Sequence, residues 1–428
     1  MNRSVLIVGF MLLAIFFGAG NLIFPPKLGL DGGGSFWPSI AGFVVTGVGL
    51  PLLGIIVSAF YEGGYKAALD RVHPWFSIAF LMAIYLAIGP FFAGPRTGAT
   101  AYEMAIVPFL GGADAVSLLL FTLAYFALAL WLSLNPSKMV DRIGSVLTPV
   151  LLIAIAALVA KAYFLFSNDA VAAPSTLKDN AFAAGMLEGY FTMDALASIA
   201  FSVIVLNAIK NKVGNQAALI RQTAAAAVIA AAALGLIYIA LGWIGNNLPV
   251  GADTLAELNA KGINIGTYVL NEAATQTFGD LGRIVLGTIV SLACLTTTVG
   301  LAVAVSEYFH EIFPKISYKA YVFLFILISF ALANQGLSTV IGKSVPVLLV
   351  LYPISMTMIF LLLANIVLPL PLAAQRLSLA LVTVVSILSV AKVEFIANLP
   401  LSSVSMEWLP FAFAGCLAGW LADKVSRK

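Results

Sequence analysis

The chain has 428 residues, 61% of them hydrophobic and only 10% charged, where a soluble domain carries about 25% charge. Its 22 Lys and Arg against 19 Asp and Glu leave a net charge of +3, without the basic stripe that a nucleic-acid partner requires. With a mean hydropathy of +1.05, it reads as an all-α integral membrane protein. Its two cysteines, Cys294 and Cys416, lie in apolar runs and offer neither a disulfide framework nor metal spacing.

Crossing the hydrocarbon core takes about 20 apolar residues. About twelve such runs follow one another, near 5–28, 36–61, 75–104, 115–134, 143–166, 184–209, 220–245, 281–309, 319–333, 344–366, 376–396 and 407–423; they are numbered here as spans 1 to 12. The first opens with "MNRSVLIVGF", which is like a signal peptide for a few residues. The run continues too far and lacks a small-residue cleavage site, so it reads as a retained span. The longer connectors are 167–183 and 246–280, and the second holds "TLAELNAKG" and "TYVLNEAATQTFG", expected as short surface helices. One membrane domain over 1–428 is expected. With the N-terminus inside, the inner loops collect Arg3, Lys66, Arg71, Lys138, Arg142, Lys210, Lys212, Arg221, Lys315, Lys319, Arg376, Lys424, Arg427 and Lys428. The outer loops collect only Lys178, Lys261, Arg283, Lys343 and Lys392, and this bias predicts cytoplasmic N- and C-termini.

Span 1 contains "FFGAGNLIFPP". Gly costs about 1 kcal/mol relative to Ala in a helix interior, and Pro cannot continue the ladder. Freed backbone groups at membrane depth are tolerated only against protein or a wet cavity. Close packing through Gly18 and Gly20 is one reading; Asn21 and Pro25-Pro26 favour an unwound segment whose amides and carbonyls face a ligand. Transporters built as inverted repeats carry a matching break in each half. With spans 1–5 as one repeat (about 5–166), the second (about 184–366) begins at span 6, leaving spans 11–12 (about 376–423) outside the repeats. Span 6 reads "GMLEGYFTMDALASIAFSVIVL" and holds Glu188, Thr192 and Asp194. An acid within a span is a functional candidate by default. Asp194 also reads as an N-cap at a helix break, and Glu188, near the outer end, as a solvated charge.

In span 8, "SLACLTTTVG" puts Thr297 and Thr298 three and four residues after Cys294, on a face with its carbonyl. Such oxygens suit a small hard cation; the alternative is that each hydroxyl bonds back to its own helix. In span 3, Arg96 and Glu103 are seven apart and share a face. They read as a structural ion pair or snorkelling charges, or as an outer gate that breaks and reforms. Tyr85 reads as a core tyrosine or a pocket-lining one, and His73 and His310 have no metal-site partners. There is no His-Glu-x-x-His, no Gly-x-Ser-x-Gly and no acid-rich face, so no enzyme is expected.

"GAGNLIFPP", "GYFTMDAL", "CLTTTVGL" and "GPFFAGPRTGATAYE" resemble the branched-chain amino acid:cation symporters of bacteria, over nearly the whole chain. The Gly-x-Gly-Asn break more distantly resembles the leucine-transporter-type fold of the amino acid/polyamine/organocation superfamily, with five-plus-five inverted repeats and spans 1 and 6 unwound. The resemblance implies a sodium-coupled symporter of leucine, isoleucine and valine in the bacterial inner membrane, with Na+ as coupling ion and no organic cofactor. Amides of Gly18, Ala19 and Gly20 would receive the substrate carboxylate. Carbonyls of Phe191, Thr192 and Met193 would meet the ammonium, with Phe191 over the side chain. Sodium would use carbonyls of Ala14 and Phe17 with Thr297 and Thr298, or the neighbouring register Ala293, Thr296 and Thr297. A second sodium site would use Asn21 and Thr192. A proton-coupled carrier of other neutral amino acids, through Asp194 and Glu188, is the alternative, and a channel a more distant one.

Overall fold

The computed structural model describes residues 3–134, 138–166, 175–177, 180–210 and 215–426. Lys178, Lys212, Arg427 and Lys428 lie outside them, as do the side chains of Arg3, Lys138 and Arg142. Every apolar run is helical, and no strand occurs among the described residues. Among the described residues, eight helices are long and apolar enough to cross a membrane. Spans 1 and 6 are interrupted, and the helices of Val5–Phe16 and Tyr318–Ala333 fall short on length alone.

Span 1 is two helices, Arg3–Phe16 and Ala19–Gly32. Span 6 is Ala181–Tyr190 and Asp194–Lys210. Pro25 and Pro26 do not mark the first break. They sit inside the second helix, where each removes one backbone donor without ending the helix. Span 5 begins at Lys138, so Lys138 and Arg142 belong to its helix rather than to a loop. Span 3 carries an unexpected kink: between Pro74–Leu86 and Ala93–Ala105 the chain widens into a π turn, with Gly89 at φ −93° and ψ −108°. The connector before span 8 forms a helix Ala252–Ala260 and a second from Ile265 that breaks at Gly279, φ +66°. That second helix is no mere surface cover, because Val269, Leu270, Ala273 and Ala274 are buried.

Packing exchanges the two halves of the chain. Both helices of span 1 lie on span 7, and both helices of span 6 lie on span 2. Span 8 packs on the second half of span 3, and spans 11 and 12 pair with each other. Glycine makes the closest approaches possible. A Cβ on Gly29 would overlap the Gly242 carbonyl, one on Gly245 the Pro26 carbonyl, and one on Gly266 the Ile23 carbonyl. Backbone therefore meets backbone, as in small-residue membrane interfaces. Large side chains such as Ile153, Phe164, Leu236, Leu281 and Phe413 face outward, as lipid contact requires.

Candidate substrate and ion site

The two breaks face each other in the core. In span 1 the Phe17 amide closes the last helical rung, on Leu13 at 2.9 Å. The Gly18 amide turns instead to the Phe16 carbonyl and to Asn21 Oδ1 at 3.2 Å. Carbonyls from Ala14 to Phe17 are thus past the last rung, and the amides of Ala19 and Gly20 open the next helix; both are the groups that helix ends leave without intrahelical partners. Gly18 is extended, φ −108° and ψ −170°.

In span 6 the helix ends at Phe191, and Met193 reverses the chain at φ +70°. The Met193 carbonyl accepts the amide of Ala197 at 3.0 Å and starts the second helix. It is therefore taken up by the backbone, whereas the carbonyls of Phe191 and Thr192 accept from the Arg96 side chain. Asp194 is the first helical residue and not the cap. Its carboxylate reaches across to span 1, where Asn21 Nδ2 donates to it and also to the Tyr238 hydroxyl of span 7. Asn21 and Asp194 are 1% and 5% exposed, so this is a buried polar tie between the breaks. Asn21 spends its amide on Gly18, Asp194 and Tyr238, and Thr192 Oγ1 donates to the Gly189 carbonyl at 2.8 Å. Both residues expected at the second sodium site thus have protein partners, and the oxygens of both keep lone pairs for a cation.

Arg96 and Glu103 do not form a pair. Both are 4% exposed, and each finds its partners elsewhere. The Arg96 guanidinium donates from Nη1 to the Phe191 carbonyl at 2.6 Å and from Nη2 to the Thr192 carbonyl at 2.9 Å. Glu103 Oε2 accepts the Asn264 amide at 3.0 Å and the Thr267 hydroxyl at 2.6 Å. It thereby caps the helix that begins at Ile265, where the N-terminal dipole favours a carboxylate. Seven-residue spacing puts the two side chains on one face but does not choose their partners.

The hydroxyls of span 8 divide. Thr296 and Thr297 both donate to the Ala293 carbonyl, at 2.8 and 3.1 Å. Thr297 is the one beside the span 1 break: a Cβ on Gly18 would lie 3.8 Å from its methyl. Thr298 donates to the Cys294 carbonyl at 2.9 Å and meets Thr97 at 2.6 Å and Tyr125 at 2.7 Å. It faces spans 3 and 4, away from span 1, because successive residues lie about 100° apart on a helix. Glu188 is not merely solvated: Lys27 bridges it at 2.8 Å and Asp31 at 2.9 Å, tying the two half-helices at one end of the site. Tyr85 donates to the Ala200 carbonyl at 3.0 Å and stacks on Tyr308 at 4.0 Å, a packing role. Tyr238, Lys27 and Tyr125 were missed as participants; a tyrosine in an apolar helix carries no mark of its partner.

The family described as "Branched-chain amino acid transport protein" matches residues 1–426. The chain belongs to this family. A relative in Staphylococcus aureus (strain USA300), provisionally named a branched-chain amino acid carrier protein, is 49% identical over 98% of this chain and 97% of its own. One in Staphylococcus saprophyticus with the same provisional name is 50% identical over 100% of this chain and 98% of its own. Among solved structures, MhsT in complex with L-phenylalanine has a TM-score of 0.59 at 18% identity, covering 98% of this chain and 97% of that one. Inward-facing Mhp1 has a TM-score of 0.63 at 13% identity, covering 97% and 91%. The fold is thus of the leucine-transporter type, and this member of the branched-chain amino acid transport family is a multi-pass membrane transporter, not an enzyme.

Proposed function

We propose that this family member is a sodium-coupled symporter that imports leucine, isoleucine and valine by alternating access, in the bacterial cytoplasmic membrane with both termini inside. The observation that carries the reading is the facing pair of helix breaks, Phe17–Gly18 and Phe191–Met193, joined by Asn21 and Asp194. Half-helix N-termini favour a carboxylate and freed carbonyls a cation. The amides of Ala19 and Gly20, beside Gly18, receive the substrate carboxylate, and the carbonyls of Phe191 and Thr192 its ammonium. The rings of Phe191 and Phe24, 6.3 Å apart, supply apolar surface for the side chain. Pocket discrimination of one methylene is worth about 1–3 kcal/mol, so the three branched substrates share the site.

Sodium takes the carbonyls of Ala14 and Phe17 with Thr297, and with Thr296 and the Ala293 carbonyl rather than Thr298. The reciprocal packing of span 1 on span 7 and span 6 on span 2 supports twelve spans with a five-plus-five inverted repeat. One observation favours the second reading, proton coupling: Asp194 is a buried carboxylate at the contact between the breaks. Radiolabelled leucine uptake into proteoliposomes, under a sodium gradient, a proton gradient or neither, separates them. Uptake driven by sodium alone supports the proposal, and uptake driven by protons alone overturns it.

A further inference from the structure

The carbonyls assigned above to the substrate ammonium already hold a cation. Arg96 donates one terminal nitrogen to Phe191 and the other to Thr192, at 2.6 and 2.9 Å. The rest of its surroundings are those of a socket. A Cβ on Gly20 would lie 2.7 Å from Nη2 and 2.9 Å from Cζ, so the absent side chain at Gly20 is the room the guanidinium occupies. The Phe24 ring lies 5.4 Å from Cζ, within cation–π range. Asp194 lies two residues beyond Thr192, its carboxylate held by Asn21 of the facing break. The buried Nε has no hydrogen-bond partner among the described residues, so the group is not held on every side.

We propose that Arg96 is a tethered cation occupying the ammonium subsite, and that substrate binds by displacing it from the carbonyls of Phe191 and Thr192. The inference rests on the reading of those two carbonyls as the ammonium site. Exclusion is mutual for two reasons. The fork of the guanidinium spans both acceptors and abuts Gly20, where the substrate's polar end enters. Two unit cations a few ångströms apart in a low-dielectric core also repel strongly. Asp194, two residues beyond Thr192, is the counter-charge offered to the displaced guanidinium. The substrate must therefore bring a positive charge of its own: a carboxylate with the same branched chain but no amino group has nothing to set on the vacated carbonyls. A tethered competitor also scales apparent affinity down to the fraction of time it leaves the site free.

The test uses the full-length protein in detergent, with guanidinium ion at low millimolar concentration as the probe. In Arg96→Ala, guanidinium is expected to raise the thermal midpoint and to compete with leucine, and to do neither in the wild type. Leucine itself is expected to bind this variant about tenfold more tightly, the loading removed when a competitor that holds the site about nine-tenths of the time is deleted. Absence of both guanidinium effects in a folded variant overturns the proposal. If Arg96→Ala does not fold, a structure of the wild type with leucine decides: separation of the guanidinium from both carbonyls supports displacement, and retention of both bonds refutes it. A wild type that binds no leucine, together with a variant stabilised by guanidinium, counts against the substrate assignment and in favour of the cation socket.

Discussion

Gly20→Ala is the smallest change that presses on the site. The new methyl would stand 2.7 Å from Arg96 Nη2, and ordinary contact begins at 3.4 Å. The guanidinium is the flexible end of a long side chain, so it moves rather than the backbone. Nη2 bonds the Thr192 carbonyl at 2.9 Å, and a shift of that size takes it to the edge of hydrogen-bonding range. A hydrogen bond from a charged group contributes about 1.5–3 kcal/mol. Replacing Gly by Ala in a helix returns up to about 1 kcal/mol. The net expectation is a loss of about 1–2 kcal/mol, a fall of a few degrees in the thermal midpoint of the purified protein. Gly342, in a helix with nothing within 4 Å of its Cβ position, is the control. Gly342→Ala should hold or slightly raise the midpoint. Equal midpoints for the two variants would refute the placement of Arg96 against Gly20.

Other consequences follow from the same geometry. Thr297→Ala should raise the sodium concentration for half-maximal uptake several-fold, whereas Thr298→Ala should leave it unchanged and cost about 1–3 kcal/mol of stability by stranding Thr97 and Tyr125; the reverse pattern would return the ion to Thr298. Gly266→Val places side-chain carbons on the Ile23 carbonyl and backbone, and should abolish well-folded expression, read by size-exclusion chromatography. Asp194→Asn preserves the shape of the tie to Asn21 but cannot carry a transported proton. Sodium-driven uptake should survive in it, at reduced rate, and complete loss with intact binding would favour the proton reading.

Much of this fold was readable from the chain because its decisive features are local. Gly-Ala-Gly-Asn and Tyr-Phe-Thr-Met-Asp each mark a place where a helix stops, and helix ends depend on a few neighbouring residues. Gly279 could have been read in the same way, since a glycine between two apolar stretches is a common site of positive φ. Pro25 and Pro26 misled because a membrane helix absorbs the loss of two donors when neighbours pack tightly on it, here through Gly242 and Gly245.

The partners of the site residues were less legible. Helical periodicity places Arg96 and Glu103 on one face, yet the choice between an ion pair and two separate anchors depends on which groups arrive from span 6 and from the connector before span 8. The same holds for three consecutive threonines, where one step along the helix decides between the span 1 break and Thr97 with Tyr125. Lys27 shows the reverse: its ion pairs at 2.8 and 2.9 Å join residues 161 and four positions away, and only the latter spacing was visible in the chain.

The central claim is that sodium drives a branched-chain amino acid through the space between two helix breaks. Leucine uptake into proteoliposomes under an inward sodium gradient, with a proton gradient and no gradient alongside, tests it most directly. The account predicts concentrative uptake with sodium alone, saturable and reduced by isoleucine and valine. Uptake that follows only the proton gradient, or that ignores both gradients, would contradict it.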